Sequence, residues 1–123
     1  MATRLRRATD DDWRVFVGTL PPSYWVGLVA ENEFMLLGIG GLFFGTDDRW
    51  WATFARAPGI RSTLTAHRAA RMVMDIAKEA GLTVHAMADL SIDGAELWLR
   101  RLGFVETDEI LNDCRVWKWV LNS

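Results

Sequence analysis

Residues 57–81, APGIRSTLTAHRAARMVMDIAKEAG, decide how the rest of the chain is read. Pro58 cannot donate a ladder hydrogen bond, so the apolar strand before it has to stop there. Ser62 or Thr63 is placed to cap a helix by accepting from an orphan backbone N–H. Ala69, Met72, Val73, Ile76, Ala77 and Ala80 then recur at steps of three and four, which predicts one apolar stripe on a long helix. Gly81 is expected to end it in the left-handed conformation, with Leu82 supplying the accompanying apolar contact. A helix start with uncovered N–H groups, near Arg61, Arg68 and Arg71, suits an anion. Many helices begin this way and bind nothing, so the local pattern alone assigns no ligand.

Composition narrows the field. The chain has 123 residues, the length of one domain spanning 1–123 with a core large enough to need no staples. Half of it is hydrophobic and 24% is charged, as in ordinary soluble globular proteins. A net charge of −2 argues against a general nucleic-acid binder. The single Cys114 excludes an intrachain disulfide and a multi-cysteine metal site; no metal is expected, and a reducing cytoplasm is the default. No apolar run reaches the length of a membrane span, so no membrane association is expected. Seven tryptophans are many for this length, and part of that surface is expected to form a binding wall or a subunit contact.

Taken in order, residues 3–8 read as a short strand, and Thr9 caps a short helix whose first turn is Asp10-Asp11-Asp12. That helix ends at Gly18, before Pro21-Pro22. Residues 23–30, 34–44 and 49–56 read as three strands of a meander, with turns at 31–33 and 45–48. The 34–44 run is nearly continuous in apolar residues and so expected to be buried on both faces, its glycines at 38, 40 and 41 marking a bulge or a close approach. After the long helix come a buried strand at 83–88, parallel to its neighbour, and a helix at 95–102 ended by Gly103. Strands at 104–107 and 114–121 close the chain around a turn at Asn112-Asp113. The order predicts an α+β fold: a mixed, mostly antiparallel sheet of six to seven strands with helices on both faces.

Pro58-x-x-Arg61-x-x-Leu64-x-Ala66 resembles the acyl-CoA signature of the Gcn5-related N-acetyltransferase (GNAT) superfamily: Arg or Gln, two residues, Gly, one residue, then Gly or Ala. Ala95-x-x-Trp98-Leu99-x-x-Leu102-Gly103-Phe104 is similar to that family's late helix and its closing Leu-Gly-Phe, and the opening Arg4-x-Arg6-x-Ala8-Thr9-x-x-Asp12 adds to the match. The element order is similar over essentially the whole chain, in the manner of the compact members found in bacteria and phages.

The resemblance implies an acyl-CoA N-acyltransferase fold with acetyl-CoA (CoA) as cofactor. It implies that the turn Arg61, Ser62, Thr63, Leu64, Thr65, Ala66 cradles a pyrophosphate at a helix N-terminus. Phe54, Ala55 and Arg56 would lie on a strand that splays from residues 83–88, the pantetheine arm pairing with the exposed backbone like an added strand. An amine would attack the thioester directly, with no covalent enzyme intermediate.

Three positions depart from the pattern. Leu64 stands where the family usually has Gly, Leu99 where a Tyr often serves as general acid, and Thr53 where a Glu often serves as base. His67, in the first helical turn, reads either as a replacement base or as a packing and hydrogen-bonding residue. Asp89, closing a strand, reads either as a contact for the substrate amine or as a turn former, and is preferred to Asp93. His85 and Cys114 read as structural, and Trp50-Trp51 and Trp117-x-Trp119 chiefly as core and interface. The expected function is transfer of an acetyl group from acetyl-CoA to a primary amine on a small molecule or a protein. The alternative is a catalytically weak or inactive binding or assembly module of the same fold. An aminoacyl-tRNA acceptor would require a basic face that the net charge does not suggest. The short first helical region leaves the acceptor side open or completed by a second subunit of a homodimer.

Overall fold

The structure, a computed structural model, describes residues 4–56, 63–88 and 95–120; for 56 and 63–66 the description is of backbone alone. The elements are β1 (Arg4–Arg7), α1 (Asp10–Val17), β2 (Trp25–Glu31), β3 (Leu36–Phe44), β4 (Trp50–Arg56), α2 (Thr63–Ala80), β5 (Val84–Met87), α3 (Ala95–Leu102), β6 (Val105–Leu111) and β7 (Cys114–Trp119). All seven strands join one sheet in the order β1-β2-β3-β4-β5-β7-β6. The β4–β5 pair is parallel, as a helical crossover requires, and the other neighbours are antiparallel.

Strand alternation sorts the core into two layers. Trp25, Phe43 and Trp51 share the face that α1 covers, where Trp13 meets Trp25 and Phe43 edge-on at 5.1 and 5.6 Å between centroids. Leu42, Ala52, Val84, Ala86 and Trp117 share the other face, in one buried cluster with Val73 and Ala77 of α2 and Leu99 and Leu102 of α3. Both faces therefore carry helices, as the element order predicts.

The start of α1 and the ends of α2 and α3 are built as the sequence suggests. Thr9 and Asp12 form a reciprocal capping box at α1. Gly81, at φ 70°, passes its N–H to the Lys78 carbonyl while the Leu82 N–H reaches back to Ala77 at 3.0 Å, a Schellman closure. Gly103 and Phe104 repeat it at the end of α3, with Phe104 bonded to Leu99.

Several details differ from the sequence reading. In α2 the inward residues are Ala69, Ala70, Val73, Met74 and Ala77, while Met72 and Ala80 face outward, because the stripe is rotated toward the 70/74 side. The 34–44 run is not all strand: Phe34 and Met35 are exposed and belong to a turn in which the Asn32 side chain accepts from both of their N–H groups. The expected turn at 31–33 thus moves to 32–35, and the bulge falls on β3 beside Gly38, where Leu37 is the extra residue opposite the Ala30–Glu31 step of β2. Gly40 serves close approach: a Cβ on it would sit 3.2 Å from the Phe54 ring and 3.4 Å from Val73. β5 is buried on one face only, with Val84 and Ala86 inward, His85 half-buried and Met87 exposed. β6 runs to Leu111, beyond the expected 107, through an irregularity between Glu106 and Ile110.

Candidate functional site

The parallel β4–β5 ladder is two residues deep. Trp50 pairs with Val84 and Trp51 with His85, after which β4 continues from Ala52 to Arg56 with no β5 partner. β5 meanwhile goes on through Ala86 and Met87 paired to β7 alone. The two strands diverge from Trp51 and His85 onward, and along the resulting gap the backbone of β4 has no ladder partner among the described residues. Phe54 and Ala55 lie on this free stretch, with the backbone of Arg56 at its end. α2 begins at Thr63, one short connection away, so its first N–H groups lie at the end of the sheet where the gap opens.

Phe54 points to the α2/α3 face, and its ring meets Trp98 of α3 edge-on at 5.1 Å. The Trp98 indole N–H in turn donates to Nδ1 of His67, in the first turns of α2, at 3.1 Å. Indole is a donor only, so Nδ1 is the unprotonated nitrogen and the neutral ring carries its proton on Nε2. Arg68 and Arg71 are exposed farther along the same helix.

Two of the three positions that depart from the family pattern, Leu99 and Thr53, have described side chains. Leu99 is 4% exposed and packed in the core cluster, so no hydroxyl stands there. Thr53 is half-buried on the α1 face of β4, with its methyl toward Gly41. Arg61, Ser62, Asp89 and Asp93, with Pro58, lie outside the described residues, as do the side chains of Arg56, Thr63, Leu64, Thr65 and Ala66. The sequence marks Trp98 only as a motif position, although the structure sets it between Phe54 and His67. Its signal was an indole three residues into an amphipathic helix beside a core leucine.

At the closed end of the gap the α1 face carries a charged belt. Arg49 binds Asp47 at 2.8 Å and both carboxylate oxygens of Glu109 at 2.7 and 3.0 Å, and its guanidinium lies 4.9 Å over the Trp51 ring. His85 sits against Trp51 with Nδ1 buried and without a partner among the described residues. Burial, then the charge of Arg49, pushes its pKa below the usual histidine value. Among the described residues no group of side chains could hold a metal ion, and no helix is long and apolar enough to cross a membrane.

No family model matches the sequence, and no curated protein matches it either. Solved structures do match. A Bacillus subtilis acetyltransferase in complex with CoA superposes with a TM-score of 0.70 at 14% identity, covering 98% of this chain and 100% of that one. The ribosomal-protein-S18-alanine N-acetyltransferase of Escherichia coli gives 0.72 at 9% identity, over 99% and 97% of the two chains. An IAA acetyltransferase from Bacillus cereus gives 0.72 at 11% identity, over 98% and 100%. With such likenesses over nearly its whole length, the chain has the Gcn5-related N-acetyltransferase fold, the architecture of acyl-CoA N-acyltransferases.

Proposed function

We propose that the chain is an acetyl-CoA-dependent N-acetyltransferase that acetylates a primary amine in a ternary complex. The observation that carries this reading is the divergence of β4 from β5 beside the start of α2. The gap suits an extended pantetheine arm pairing with β4 at Phe54, Ala55 and Arg56, and the α2 N-terminus, with Arg61, Ser62, Thr63, Leu64, Thr65 and Ala66, suits a pyrophosphate. Structures of this fold with CoA and with acetyl-CoA support the choice of cofactor.

The amine nitrogen attacks the thioester carbonyl, the C–S bond breaks, and CoA leaves as a thiolate. An ordinary thiol pKa near 8.5 makes that departure tolerable without an acid, which fits a buried leucine at 99. The proton lost by nitrogen passes to water. Asp89 is the proposed contact for the amine. His67, its Nδ1 engaged by Trp98, acts as a positioning group rather than as a base. The acceptor is a small-molecule or protein amine in a reducing cytoplasm, with a homodimer completing the acceptor side.

Leu99 in the core and Thr53 at the base position favour a second reading, a binding module of the same fold without catalysis. Isothermal titration with acetyl-CoA and CoA, followed by thiol release against a panel of amines, separates the two. Absence of binding at millimolar cofactor sinks the enzyme; binding without thiol release for any amine favours the module.

A further inference from the structure

Diverging strands need something to hold them apart, because β4 would gain ladder bonds by closing onto β5. A bulge in β4 would bend it away, yet its register with β3 runs unbroken from Gly38↔Arg56 to Phe44↔Trp50. Ala52 and Ala86, which flank the vertex on the α2/α3 face, are too small to keep the backbones apart. Farther out, bulk does cross the gap. Phe54 of β4 meets Trp98 of α3, the helix that follows β5, at 5.1 Å and 68° between planes. Phe54 is backed by β3, where Gly40 leaves just enough room for its ring. Trp98 is fixed from a third direction by its 3.1 Å bond to His67 of α2.

We propose that Trp98 is the spacer of the gap: a positioning residue, locked by His67 and seated on Phe54, that keeps the β5–α3 side away from β4 and so preorganises the slot for an extended ligand arm. Preorganisation spares the ligand the work of parting the strands. What fills the slot rests on the functional reading above; that Trp98 holds it open does not.

The test is made on the full chain, first without ligand. In W98A the Met87 amide and those amides of residues 52–55 that face the gap, not the ones bonded to β3 or β7, should exchange at least tenfold more slowly than in wild type as the strands close, and CoA should bind at least tenfold more weakly. W98F keeps a ring against Phe54 but deletes the N–H, and H67A deletes the acceptor. Each should weaken CoA binding about fivefold, the worth of one ordinary hydrogen bond, and the double variant should be no weaker than either single one. Should W98A not fold, the W98F and H67A cycle carries the test alone. Unchanged or faster exchange of those amides, unchanged or tighter CoA binding by W98A, or additive effects in the cycle would overturn the spacer. If wild type takes no CoA while the exchange pattern appears as expected, the functional reading fails and the spacer stands.

Discussion

Arg6 grips Asp12 through both carboxylate oxygens, at 2.7 and 2.9 Å, while the same carboxylate accepts from the Thr9 backbone N–H at 2.7 Å. One buried side chain thus joins β1 to the capping box of α1, and Arg6 also reaches Glu31 on β2 at 3.1 Å. The hydrogen bonds from Arg6 hold the Asp12 carboxyl down at about 2, against the opposing effect of burial. Because the folded pKa lies below the unfolded one, this stabilisation is complete above about pH 4 and is lost as pH falls toward 2. D12A should lower stability by about 2–3 kcal/mol at neutral pH and flatten the acid limb of a urea-denaturation series.

His85 gives a second pH dependence at a different place on the scale. Its pKa is lowered in the folded state, first by burial and then by Arg49 and Lys118, with a hydrogen bond to the Trp50 backbone and the charge of Glu109 opposing. The stability contributed by the neutral ring is therefore present above the unfolded value of about 6.5 and declines as pH falls below it. Glu109 and Asp47 have lowered pKa values and stay charged through this window. The melting temperature of wild type should drop between pH 7.5 and 5.5, and H85Q should lose most of that drop.

Gly27 faces Gly41 across β2 and β3, and a Cβ there would come within 2.6 Å of the Gly40 carbonyl oxygen. The obstacle is backbone, which cannot swing aside. G27A should cost about 1–3 kcal/mol, measured by chemical denaturation, although alanine is otherwise a better strand residue than glycine.

The charged belt is accessible enough for salt to weaken it. Arg49 and Glu109 side chains are 27% and 40% exposed, so a double-mutant cycle on R49M and E109Q should return no more than about 1 kcal/mol. The coupling should shrink between 50 mM and 1 M salt.

If the proposed transfer runs without an enzymic base, its pH profile belongs to the acceptor. With threonine at 53 and His67 Nδ1 bonded to Trp98, kcat/KM should climb about tenfold per pH unit below the amine pKa. The slope should be the same in H67A. A plateau set by a group of the enzyme would refute this.

Much of the fold was legible because local rules agreed. Thr9 with Asp12, Gly81 with Leu82 and Gly103 with Phe104 each mark a helix boundary by a mechanism that needs no tertiary information. Reading failed where neighbours decided. Met72 and Met74 are equally apolar, and only the sheet beneath α2 selects the latter. Phe34 and Met35 continue an apolar run, yet Asn32 draws their N–H groups into a turn. Around the candidate site, the gap was legible only through the family resemblance carried by Pro58, Arg61, Leu64 and Ala66 and by the element order. The Phe54–Trp98–His67 bridge was not, because it joins three elements with a 31-residue separation between its hydrogen-bonded members.

The even register between β3 and β4 also limits how this protein can change. Adding one residue between Trp51 and Ala52, with the start of β4 held in register, would turn Ala52 and Phe54 toward α1 and Thr53 toward α2, exchanging the inner and outer furnishings of the slot at a stroke. Variation in what the slot accepts is therefore open to substitution but closed to length, and homologous sequences should show no insertions or deletions in that strand.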